Sequence, residues 1–167
     1  GVQFGQEYDQ RQANTLVDIL ETTFSNISTV FARARRALYQ QYSSTTPVGN
    51  INAGVDTLIT YTIPANVLAK DGYNIEVKAW GTFAANANNK ELKMLFGGST
   101  LYDTGVVAVN DGTWMINATI VRTGAATQQA ITTMTSNNAT VANSVTYTVP
   151  TETLSGTIVI KCTGEAI

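Results

Sequence analysis

Apolar residues recur through the first forty positions at alternating spacings of four and three: Ala13, Val17, Leu20, Phe24, Ile27, Phe31, Ala34 and Leu38. This is the heptad repeat of a helix that buries one seam against partner helices. Leu16 and Val30 flank the seam and widen it, which suits burial among three helices better than a narrow two-stranded contact. Residues 9–40 contain neither Gly nor Pro, and Glu7 and Asp9 near the start and Arg33, Arg35 and Arg36 near the end complement a helix dipole. The pattern predicts a coiled-coil-like oligomerisation segment over 9–42, zipped by Val17, Leu20, Phe24, Ile27, Phe31 and Leu38. Its weak point is "TTFSNIST", residues 22–29, where Thr, Ser and Asn compete for backbone hydrogen bonds and a break or kink is expected.

Beyond Tyr42 the texture changes. "SSTTPVGN", with Pro47 and Gly49, reads as a linker over 43–55. From residue 56 onward Thr, Val and Ile alternate with polar residues, the period-2 signature of half-buried strands. Strands are predicted near 57–63, 73–83, 91–97, 105–109, 112–122, 127–135, 139–149 and 156–163. The fold class is therefore mainly β with an N-terminal α-helical segment: an antiparallel, jelly-roll-like β-sandwich over 56–167, with a closed barrel as the alternative.

Strand parity assigns faces. Leu92, Met94 and Phe96 share one face of their strand, as do Trp114, Ile116, Ala118 and Ile120, and Ile158, Ile160 and Cys162; all are predicted core. Trp80 falls on the opposite parity, with Glu76 and Lys78, so unless a bulge intervenes it leaves the core and needs a cover. Packing against a neighbouring subunit is the leading reading and a ligand platform the lesser one. The stretch "AANANNK", residues 84–90, is rich in residues that tolerate left-handed backbone and bond locally, which is sufficient for a turn.

Composition narrows the chemistry. The 167 residues include no His, which removes the commonest general base, metal ligand and pH switch together. Charged residues make up 13% with a net charge of −2, so a nucleic acid partner is not expected. No window approaches 18 consecutive apolar residues, and membrane insertion is not expected. Cys162 reads as a small buried hydrophobe. Hydrolysis by paired carboxylates needs no His, but Asp56, Asp71, Asp103 and Asp111 sit in apparent turns, and no motif fixes which two would meet. Neither an enzyme nor a cofactor nor a metal is expected. Tyr102, Asp103 and Asn110, an aromatic ring close to Asp and Asn, make a candidate ligand surface.

"YTIPANVLAKDGYNIEVKAWGTFAANANNKELKMLFGG", followed by Trp114, Ile116, Ala118 and "IVRTGAATQ", resembles a β-domain recurrent in phage and prophage virion appendage proteins, over roughly residues 56–163. "FGQEYDQRQANTLVDILETTFSNI" is similar, more loosely, to the N-terminal segment of some phage fibre and minor structural proteins. The resemblance implies a homotrimer within a virion, attached to other virion proteins by residues 1–8 and presenting a β-rich head, with host-surface glycan as a candidate partner. A helix of about 30 residues spans about 45 Å, so the implied fibre or spike is short. A trimeric capsid decoration protein and a carbohydrate-binding module are the alternatives.

Overall fold

A computed structural model describes residues 14–29, 42–46, 48–51 and 54–167. The chain divides into two compact units, Gly1–Tyr42 and Ser43–Ile167.

In the first unit, residues 14–29 form one α-helix, α1, continuous through the stretch where a break was expected. The hydroxyls account for this. Thr23 Oγ1 donates to the carbonyl of Ile19 at 2.8 Å and Thr29 Oγ1 to that of Ser25 at 2.9 Å, so they bond back into the preceding turn instead of drawing the backbone away. The expected arm 1–8, the dipole-matching Asp9, Phe31, Leu38 and the arginines of "RARR" lie outside the described residues. Among the described residues no helix is long and apolar enough to cross a membrane.

The second unit is a pair of four-stranded antiparallel sheets. Its strands are β1 (Gly54–Ile63), β2 (Asn74–Thr82), β3 (Lys90–Phe96), β4 (Ser99–Asp103), β5 (Thr113–Gly124), β6 (Thr127–Ser136), β7 (Ser144–Thr148) and β8 (Ile158–Ala166). Sheet 1 has the order β1-β8-β3-β4 and sheet 2 the order β2-β5-β6-β7. The last strand thus sits between β1 and β3, whereas β5, β6 and β7 follow one another as a meander.

The two inner faces supply the core, as parity dictates. Phe96, Ile116 and Ile120 are wholly buried, and Leu92, Met94, Trp114, Ala118, Ile158, Ile160 and Cys162 join them. Gly81, opposite Trp114 in the β2–β5 register, is there for room: a Cβ at that position would stand 2.8 Å from the indole ring, which also leans on Phe83 at 6.5 Å between ring centres.

Two expected boundaries move. No strand forms at 105–109; the fourth strand is "STLYD", joined to β3 by the two-residue turn Gly97–Gly98. The alternation that would have revealed it is broken by a bulge. The β3–β4 register slips between Met94 and Leu95, so Leu101 and Tyr102, neighbours in sequence, are both buried. The segment after β4 instead crosses the start of β3, where Val107 and Lys90 exchange two backbone hydrogen bonds of 2.8 Å. The end of the expected linker also belongs to the sandwich: Asn50 Nδ2 lies within hydrogen-bond distance of the Gly54 carbonyl, Asp56 Oδ2 and the Gly164 carbonyl.

Candidate functional site: exposed apolar surfaces on helix and sheet

Every described residue of α1 is exposed. The seam residues Val17, Leu20, Phe24 and Ile27 stand 43–67% open, and Leu16 and Ile19 beside them more than half open. Apolar side chains at heptad spacing along 14–29 therefore form an uncovered stripe.

On the sandwich the two outer faces differ. In sheet 1 the outward positions of the inner strands are largely charged or hydroxylic: Glu91, Lys93, Lys161, Thr163 and Glu165. Lys93 Nζ reaches Glu91 at 2.8 Å and Asp103 at 3.4 Å, and the hydrogen bond to Glu91 is the chief cause that raises the pKa of its ammonium group. Glu91, Lys93 and Asp103 thus offset one another, while Val159 and, on the edge strand β1, Val55 are exposed on the same face. In sheet 2 the outward register runs Trp80–Met115–Thr135, then Lys78–Asn117–Thr133–Val145, then Glu76–Thr119–Ile131–Tyr147. Trp80 is 66% exposed, Val145 71%, Tyr147 56% and Ile131 49%. Trp80 stands on the edge strand β2, while Ile131, Val145 and Tyr147 cluster at the opposite edge on β6 and β7.

Of the expected ligand surface, Tyr102 is buried, and its hydroxyl accepts a hydrogen bond from Ser144 Oγ at 3.1 Å. Tyr102 is therefore corrected from ligand surface to core, because the β4 bulge turns it inward. Asp103 is exposed but occupied, by Lys93 and by the Gly105 backbone N–H, which donates to its Oδ1 at 2.7 Å. Asn110 is exposed, and its carbonyl accepts from Asn138 Nδ2 at 3.3 Å. The three do not form one open surface.

Asp56 and Asp71 also have structural partners. Asp56 Oδ2 accepts from Asn50 Nδ2 and from the Ile51 N–H, both at 2.9 Å. Asp71 accepts from Arg122 Nε at 2.9 Å, while the same guanidinium donates to the Leu68 carbonyl at 2.7 Å. Cys162 is buried with its thiol pKa pushed up to about 12 by desolvation, so the reactive thiolate is suppressed.

Lys90 is the residue whose role parity could have found. It shares the inward parity of Leu92, Met94 and Phe96 and is itself buried. The loop before it wraps its ammonium group, which lies 2.6 Å from the Val109 carbonyl, 2.8 Å from that of Asn88, and 3.2 and 3.0 Å from the carbonyl and Oδ1 of Asn86. The amides of "AANANNK" thus help cage a lysine of the same segment. The "FGG" turn is anchored likewise: Gly97 has φ +59°, Gly98 N–H and Ser99 Oγ donate to Glu152 Oε1 at 2.9 and 2.8 Å, and a Cβ at Gly97 would collide with that carboxylate. Asn66 of "IPAN" has φ +61°, with its N–H on the Leu154 carbonyl. Asn66, Lys90 with its acceptors on Asn86 and Asn88, and the Gly97–Gly98 turn each fasten a loop of the sandwich.

No protein-family model, no curated protein and no solved structure matches the chain.

Proposed function

We propose that the chain is a non-enzymatic structural subunit of a phage virion: a homotrimeric short fibre or spike with a coiled-coil stalk built from the N-terminal helix. Its jelly-roll-like β head would be presented outward, and the N-terminal segment would join other virion proteins. The observation that carries the assembly part is the open apolar stripe of Val17, Leu20, Phe24 and Ile27 on α1. An isolated helix with such an apolar face in water is marginal by itself and gains its stability from partner helices. The virion part is supported by the sequence resemblance. The roles found for its motif residues in loop anchoring are consistent with a scaffold held in common. Three weak contacts on one particle reinforce one another through effective concentration, so a head of this kind works with modest affinity for a host-surface glycan.

Light scattering of the full chain, of a chain beginning at Thr46, and of the variant Leu20→Asp with Phe24→Asp tests the reading. A mass of three chains is expected for the first and of one chain for the other two. A monomeric full chain would overturn the trimer, and a trimer that survives both changes would transfer assembly from the helix to the head.

A further inference from the structure

We infer that Asp111–Gly112 is a self-modification site, at which the Asp111 carboxyl group closes on the Gly112 nitrogen to give a succinimide that water reopens as isoaspartate. The chain has two Asp-Gly pairs, Asp71–Gly72 and Asp111–Gly112. In such a pair the second residue has no side chain to obstruct the closure. Asp71 and Asp111 are both exposed and both lie in turns between strands. Residue type and exposure therefore do not separate the two pairs; their hydrogen bonds do.

At Asp71 both reacting groups are engaged elsewhere. Asp71 Oδ1 accepts from Arg122 Nε at 2.9 Å, and the Gly72 N–H donates to the Arg122 carbonyl at 2.9 Å. Arg122 thus holds the carboxylate and the nitrogen on separate partner groups. At Asp111 the two groups hold each other, because the Gly112 N–H donates to Asp111 Oδ1 at 2.7 Å. A bond of that length between a carboxylate and the next backbone nitrogen requires the side chain to fold back over its own C-terminal peptide bond. The carboxyl carbon then faces the nitrogen that attacks it, the arrangement of a near-attack conformer.

The surrounding loops keep that conformer in place. Asp111 sits in the left-handed region with φ +66°. Its carbonyl accepts from Asn138 Nδ2 at 2.8 Å, and the Gly112 carbonyl accepts from the Phe83 N–H at 2.8 Å. Gly112 has φ +115°, and a Cβ there would stand 2.9 Å from that of Asn138, so the position is reserved for glycine.

In the closure the Gly112 nitrogen forms a bond to Cγ of the carboxylic acid as the Cγ–OH bond breaks, and the hydroxyl leaves with the nitrogen's proton as water. The ring then takes one water back. Attack at Cγ restores aspartate. Attack at the Asp111 carbonyl carbon breaks its bond to the Gly112 nitrogen and leaves the chain running through Cγ, one methylene longer, beside a free α-carboxylate. No reactant besides water takes part.

The test ages the full chain in a mildly acidic buffer in which circular dichroism shows the sandwich folded, and in parallel in the same buffer with denaturant. Peptide mapping with electron-transfer fragmentation then measures succinimide, lighter by one water, and isoaspartate at each Asp-Gly pair. In the folded chain, conversion at Asp111 is expected to run severalfold ahead of conversion at Asp71, and in denaturant the two are expected to convert at similar rates. Equal rates in the folded chain, or no conversion at Asp111, overturn the inference. An excess at Asp111 that persists in denaturant also overturns it, by tracing the reaction to the neighbouring sequence and not to the folded turn.

Discussion

The helix and the sandwich treat their apolar residues in opposite ways. Along α1 Phe24 is 67% exposed, whereas in β3 Phe96 is not exposed at all. Both residues sit in regular amphipathic patterns, one of period 3.5 and the other of period 2, and both patterns specify a face to be buried. The sandwich supplies its own cover because its two sheets close on each other. The helix carries the demand without the supply. Amphipathic pattern alone therefore reports that a face will be covered, and the architecture decides whether the same unit or another molecule does it.

That contrast breaks first at the core. Phe96→Ala removes a wholly buried ring and is expected to cost about 3–5 kcal/mol. If the sandwich is self-sufficient, thermal unfolding will show the same loss in the full chain and in one beginning at Thr46. A markedly larger loss in the full chain would mean that the helical unit shares the core's stability. Next comes the caged lysine. Lys90→Met keeps the aliphatic stem but leaves the carbonyls of Asn88 and Val109 without their donor, and about 2 kcal/mol of destabilisation is expected in denaturant melts. An unchanged midpoint would mean that water replaces the ammonium group without loss.

The last effect appears only when the pH is raised. The thiol of Cys162 titrates near 9.0 when unfolded and at about 12 in the folded chain, so above pH 9 the unfolded state releases a proton that the folded state retains. The unfolded state binds fewer protons in that window, and stability falls as pH rises from 9 towards 12, by at most about 1.4 kcal/mol per pH unit from this group. Lys93 acts in the same direction but later. Its pKa is raised above 10.5, so its ion pairs contribute fully below that value and are lost as pH climbs through the folded pKa. Cys162→Ala should flatten the alkaline decline between pH 9 and 10.5 relative to the unmodified chain. Identical slopes in paired denaturant titrations would show that the thiol is not the cause.

Much of the sandwich was legible in sequence because most strands keep strict alternation. β5 shows why: Trp114, Ile116, Ala118 and Ile120 all point inward, and the outward position of Trp80 followed from the same rule on β2. The rule failed where the backbone inserts an extra residue. The bulge opposite Met94 and Leu95 buries Leu101 and Tyr102 side by side, which hid β4 and made Tyr102 look like a surface ring. Lys90 was overlooked for a different reason. Its parity was correct for the core, but a positive charge there is acceptable only with acceptors supplied by Asn86, Asn88 and Val109, and the last of these comes from a distant loop. The continuity of α1 through Thr23 and Thr29 turned on where two hydroxyls found acceptors. Composition does not report that choice.

The pairing of β1 with β8 also determines how the sandwich bears load. The chain enters the sandwich beside Asn50, at the end where Gly54 faces Ala166, and β1 then runs to Ile63 along β8. Antiparallel hydrogen bonds lie across the strands. Tension applied between the start of β1 and the loops at the far end of the sandwich pulls along the strand, so the nine residue pairs from Gly54–Ala166 to Ile63–Ile158 are loaded together in shear and do not peel one after another. A strand inserted in this way behaves as a glued lap joint, the mechanically strong arrangement for a domain pulled from the start of its first strand.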